Sequence, residues 1–112
     1  MTPKYFVTEQ ERRGTIYHEF FKGKWDEKTF GKEDSLFLHD DILYKMDLER
    51  IFRKVAPGYR SYNETEINRE QWKQIREIAS GVSGEVENLI LEIEPWVEDN
   101  FKEHAVFTIL GI

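Results

Sequence analysis

The stretch Ser83-Gly84-Glu85-Val86-Glu87-Asn88-Leu89-Ile90-Leu91-Glu92-Ile93-Glu94-Pro95-Trp96-Val97-Glu98-Asp99-Asn100-Phe101, followed after four residues by Val106-Phe107-Thr108-Ile109-Leu110, decides the fold class. Val86, Leu89, Ile90, Ile93, Val97 and Phe101 recur at spacings of three or four, which lines one face of a helix. Pro95 lacks an amide N–H and crowds the carbonyl four residues earlier. The stripe nevertheless keeps its phase across it, so the pattern predicts one kinked helix running to about His104 rather than two helices. The run from Val106 to Leu110 is short, apolar and partly β-branched, and reads as a buried strand. A helix that hands over to a strand at the end of the chain makes the fold mixed.

Working back towards the N-terminus, Asn68 is placed to cap a second helix, with Gln71 in the capping-box position and Ile67 and Trp72 in the positions of a hydrophobic staple. Ile75, Ile78 and Ala79 continue its buried face, and Gly81 stops it. Before that, Tyr44, Leu48, Ile51, Phe52 and Val55 fit one further amphipathic helix. Asp40 and Asp41 suit its N-terminus, Arg50, Arg53 and Lys54 its last turns, and Pro57-Gly58 ends it. The first third reads poorly as helix. Tyr5-Phe6-Val7-Thr8 and Thr15-Ile16-Tyr17-His18-Glu19-Phe20-Phe21 flank a charged stretch ending in Gly14, the pattern of a hairpin. Ser35-Leu36-Phe37-Leu38 suits a short strand, and residues 22–32 a strand or a loop. The expectation is a single α+β domain over residues 1–112: three helices packed with a small sheet formed by the N-terminal hairpin and the C-terminal strand.

The 112 residues include eight Phe, five Tyr and three Trp, enough rings to build a core that a disordered acidic chain would lack. There is no cysteine, which excludes a disulfide framework or thiolate-bound zinc and fits a cytoplasmic protein. The N-terminal residues lack the apolar run of a signal peptide, and no stretch is apolar enough to suggest a membrane span. The net charge of -6 is unevenly placed. Residues 1–32 are net +2, whereas residues 85–103 hold seven acids against the single base Lys102. On a helix those acids flank the apolar stripe, with Glu87, Glu94 and Glu98 on one side and Glu85, Glu92, Asp99 and Glu103 on the other. Two solvent-facing acidic ridges are expected. Such a surface repels nucleic acid and anionic membranes and attracts basic partners.

Catalytic patterns are sparse. His18, His39-Asp40 and Asp99 follow the order of ligands in HD-type metal-dependent phosphohydrolases, in which imidazole and carboxylate together hold a water-activating metal. His18 falls in a predicted strand, though, and Asp40 or Asp41 serves equally as a helix cap. No serine lies in a G-x-S-x-G setting. The acids along the helix flanks read as a solvated face before they read as a general acid–base pair. Gly81-Val82-Ser83-Gly84 fits a helix–helix turn better than an anion-binding loop, since the acids that follow would repel the anion. No catalytic residue, metal ligand or cofactor is therefore expected. Tyr59, Arg60 and Tyr62 fall in a loop where Tyr and Arg can anchor a partner, and packing back onto the core is the equal alternative for each ring.

Glu94-Pro95-Trp96-Val97, Phe107-Thr108-Ile109-Leu110-Gly111-Ile112 and Ile67-Asn68-Arg69-Glu70-Gln71-Trp72-Lys73-Gln74-Ile75 resemble small bacterial proteins associated with toxin–immunity gene neighbourhoods. The resemblance covers about the second half of the chain and brings no defined binding residue with it. It implies an immunity protein: a small cytoplasmic inhibitor that neutralises a toxin, often a nuclease. An acidic surface is compatible with that role, because nucleases need a basic cleft. The candidate partner-binding residues are Glu87, Glu94, Glu98 and Asp99, with Tyr59 and Tyr62 as anchors, and the expected partner is a basic toxin domain. The alternatives are a regulatory or adaptor module for another basic protein, and a small metal-dependent hydrolase at His39-Asp40.

Overall fold

A computed structural model describes residues 5–14 and 16–111. Its elements in chain order are β1 (Phe6–Val7), β2 (Tyr17–Lys22), β3 (Leu36–His39), α1 (Asp40–Lys45), α2 (Leu48–Val55), β4 (Glu64–Asn68), α3 (Arg69–Ser80), α4 (Gly84–Phe101) and β5 (Val106–Leu110). The fold is α+β: four helices lie against a five-stranded sheet of order β1-β3-β2-β5-β4, every pairing antiparallel. Among the described residues no helix is long and apolar enough to cross a membrane.

The pairing register fixes which side chains share a face, because alternate residues of a strand point to opposite sides. Phe6, Leu38, Phe20, Ile109, Ile67 and Phe107 share the face that carries the helices, and all six are buried. Phe107 is the hub of this core. The rings of Phe20, Trp72, Trp96 and Phe101 lie 5.6–6.1 Å from it, centroid to centroid. Burying rings of this size from several elements at once is what holds helices to sheet.

The other face, with Glu19, Phe21, Phe37, Thr108 and Leu110, is covered by the connections that leave β1 and β2. Arg12 lies 5.0 Å over the ring of Phe37 and Lys32 4.6 Å over that of Phe21, so each cation shields an apolar ring from water. The buried carboxylate of Glu19 accepts hydrogen bonds from the amides of Gly31 (2.8 Å) and Lys32 (3.2 Å). Thr108 does a similar service, its hydroxyl accepting from the Trp25 amide and donating to the Gly23 carbonyl. Residues 23–35 are thus a loop with fixed anchors, not a strand.

Several expectations change on the structure. The N-terminal hairpin does not form: β3 lies between β1 and β2 and pairs with both. Thr15, in the predicted second strand, lies outside the described residues. The first predicted helix is two short ones, broken where Asp47 adopts a left-handed conformation (φ 54°) that Asp tolerates better than most residues. β4 is an additional strand in what reads as a loop and helix approach. The C-terminal half matches expectation more closely. Asn68 and Gln71 form the reciprocal capping box, Ile67 and Trp72 are both buried, and α4 is a single helix through Pro95, though it ends at Phe101 rather than near His104.

Candidate protein-binding surface

The acids of α4 are placed by two local facts: the helix starts at Ser83, whose hydroxyl accepts from the Val86 amide, and its apolar stripe is fully engaged by the core. The two flanks therefore face different neighbours. On one side, Glu94 pairs with Arg76 of α3 at 2.5 Å, and Glu98 lies 3.7 Å from Arg69 at the start of that helix. Arg69 also stacks 4.9 Å from the Phe101 ring and donates to the Phe101 carbonyl, which closes the end of α4. On the other side, Asp99 accepts from Lys22 of β2 at 2.6 Å, and Glu92 accepts from the amides of Tyr5 and Phe6.

The acids of the two ridges are exposed at Glu85, Glu98, Asp99 and Glu103 and half-buried at Glu87, Glu92 and Glu94, and four of them also have partners on the scaffold. Glu92, Glu94, Glu98 and Asp99 tie α4 to β1, α3 and β2, and basic side chains locally neutralise three of them. The ammonium of Lys22, by hydrogen bond and then by charge, holds the Asp99 carboxyl below the ordinary carboxylate range. Among the described residues Glu85, Glu87 and Glu103 enter no ion pair. The unpaired acids are therefore Glu85 and Glu87 in the first turn of α4 and Glu103 in the turn that follows the helix. Glu87 also borders a groove of about 280 Å³ between α3 and α4, together with Lys73, Arg76, Glu77, Ile90 and the half-exposed Leu91.

The two tyrosines part company. Tyr62 is 65% exposed, whereas Tyr59 is 0% exposed and packs edge-on against Phe52 at 5.3 Å. Tyr59 is thus a core residue and Tyr62 the ring left on the surface. Burial, and then the charges of Glu49 and Asp40, push the Tyr59 phenol well above its ordinary range, and its hydroxyl has no hydrogen-bond partner among the described residues.

The four residues of the HD-type pattern do not converge. His18, fully buried, has Nε2 2.7 Å from Asp40 Oδ1, so those two do meet. His39 instead points its ring at Tyr17, and its Nδ1 accepts from the Asp41 amide to cap α1. Asp99 sits by Lys22, four residues along β2 from His18 and so about 13 Å away at the rise of a strand. Among the described residues no group of three or more His, Asp or Glu is placed to hold a metal ion.

Sequence reasoning missed Glu19, Glu92 and Asn100 as anchors. Asn100, buried beside Phe101, accepts from the Gly23 amide (2.8 Å) and donates to the Val106 carbonyl (3.1 Å), joining α4 to both strands at one end of the β2–β5 pair. The one signal available for Asn100 was an amide side chain immediately beside the apolar stripe. Comparison of the chain with protein-family models, with curated proteins and with solved structures found no match.

Proposed function

We propose that this chain is an immunity protein, a cytoplasmic inhibitor that binds and neutralises a toxin domain with a basic surface, a nuclease being the class whose cleft suits it best. The carrying observation is the acidic helix α4, fixed to the scaffold on both flanks, with Glu85 and Glu87 in its first turn and Glu103 in the turn after it, all three without an ion pair among the described residues. A rigid display of acids loses little entropy on binding, and its field steers a basic partner over distance. The paired acids add to this. Arg76, Arg69 and Lys22 hold Glu94, Glu98 and Asp99 in position, so an incoming cation meets carboxylates that need no ordering. Tyr62 supplies an exposed ring with a polar tip, the type of side chain that serves as a hot spot. The resemblance of the second half of the chain to small immunity proteins supports the same reading.

Co-expression with the protein encoded by the adjacent gene tests it. An immunity protein co-purifies with that product in fixed stoichiometry and suppresses its toxicity. A complex that leaves the activity of the partner intact would favour an adaptor role instead, and absence of any complex would remove the proposal.

A further inference from the structure

The two edges of the sheet are treated differently. At one edge, β1 is only two residues long, and the Glu92 carboxylate takes the amides of Tyr5 and Phe6. The other edge is β4, five residues long, with β5 as its only strand neighbour among the described residues. The Gly111 amide donates to the Asn63 carbonyl at 3.1 Å, and these residues continue the β4–β5 register. In an antiparallel pair, residues that bond across the ladder alternate with residues whose N–H and C=O point away from it. Asn63, Thr65 and Ile67 therefore bond to β5, and Glu64, Glu66 and Asn68 turn their main-chain groups off the sheet. The outward amide of Asn68 is taken by the Gln71 side chain in the capping box. Glu64 and Glu66 have no such cover: among the described residues nothing bonds to their outward N–H and C=O groups.

Beside this open stretch lies a groove of about 400 Å³ lined by Ala56, Gly58, Tyr59, Glu64, Thr65 and Glu66. Ala56 and Gly58 leave room for a side chain of an added strand. The carboxylates of Glu64 and Glu66 point to the same face, are exposed, and enter no ion pair among the described residues. We infer that β4 is a docking edge for an extended, basic segment of a partner protein, which adds antiparallel as a sixth strand. Four main-chain hydrogen bonds form with Glu64 and Glu66, and Lys or Arg at alternate positions of the incoming strand meets the two carboxylates. A second copy of the chain is a poor occupant, because its own acidic edge would set like charges opposite one another. The inference concerns a surface separate from α4 and stands or falls independently of the proposed function.

The test uses the ¹⁵N-labelled protein and a blocked eight-residue peptide alternating lysine and valine. The Glu64 and Glu66 amides shift on titration, and their hydrogen exchange slows at least tenfold. Glu66→Pro removes an outward N–H while leaving the ladder to β5 intact, and weakens binding at least tenfold. A peptide alternating lysine and proline carries the same charge but cannot pair, and it leaves the two amides unprotected whether or not the Glu66→Pro variant folds. Equal protection by the lysine–proline peptide, shifts confined to α4, or no response at millimolar peptide would each overturn the inference. So would a concentration-dependent dimer in which these amides are already protected.

Discussion

Tyr59 and Tyr62 stand three residues apart in one loop, and only the packing separates them. A spacing of three in irregular backbone fixes no common direction, so the sequence marks both rings and orients neither. The structure buries Tyr59 against Phe52 with a hydroxyl that no described residue satisfies. A buried hydroxyl without a partner costs about 1–3 kcal/mol, so Tyr59→Phe is expected to stabilise the fold by about 1 kcal/mol in chemical denaturation. The raised phenol pKa fixes the sign of a pH effect. The folded state holds the proton more tightly than the unfolded state, so this contribution is complete below pH 10.0, the ordinary tyrosine value, and is lost as pH rises above it. Tyr59→Phe therefore loses less stability than the parent between neutral and strongly alkaline pH. An unchanged alkaline profile would show that Tyr59 is not buried as described. Glu19 carries a related lesson. An acid between His18 and Phe20 in a strand looks like a polar face, yet it is buried because two loop amides arrive to satisfy it.

At the scale of elements, what could be read was whatever local chemistry determines. The capping box of α3 depends on Asn68 and Gln71 alone, and it is present. Asn68→Ala is expected to cost about 1 kcal/mol, measured by thermal or denaturant unfolding. The stripe of α4 kept one helix across Pro95 because a six-residue apolar face anchors both halves. The break between α1 and α2 was not legible, since the apolar period of Tyr44, Leu48, Ile51 and Phe52 runs through Asp47 without a flaw. Nor was β4: Glu64-Thr65-Glu66-Ile67-Asn68 has a single buried hydrophobe, because an edge strand with one wet side needs no more. The strand order escaped for another reason. β1 and β2 are neighbours in sequence, but β3 enters between them, a long-range choice that no turn signal records. Gly111 tests the β4–β5 edge directly. A Cβ there would lie 2.2 Å from the Ser61 carbonyl oxygen, so Gly111→Ala forces the backbone apart. The expected cost is about 2 kcal/mol, with faster hydrogen exchange in β5 and at Asn63.

For the whole molecule, the total charge was readable and its use was not. Counting acids located the surplus in residues 85–103, but it could not foresee that α4 is flanked by Arg76 and Arg69 on one side and Lys22 on the other. Those bases come from α3 and β2, and only the fold brings them to α4. The result is an acidic helix engaged by its own scaffold from Glu92 to its C-terminus, with free acids in its first turn and in the turn beyond its end. This changes how the surface should be probed. Reversing Glu94 or Glu98 to Lys sets a cation against Arg76 or Arg69 and disturbs the packing of α3 on α4, so slower binding would be ambiguous. The triple variant Glu85→Lys, Glu87→Lys, Glu103→Lys changes the field and leaves every ion pair described above in place. The most direct measurement is the association rate constant with the product of the adjacent gene, the partner that the proposed function names as a toxin, followed by stopped-flow at low and at physiological salt. The account predicts a rate that falls steeply with salt and a triple variant slower by about tenfold or more at low salt. A rate indifferent to both salt and the triple reversal would contradict it.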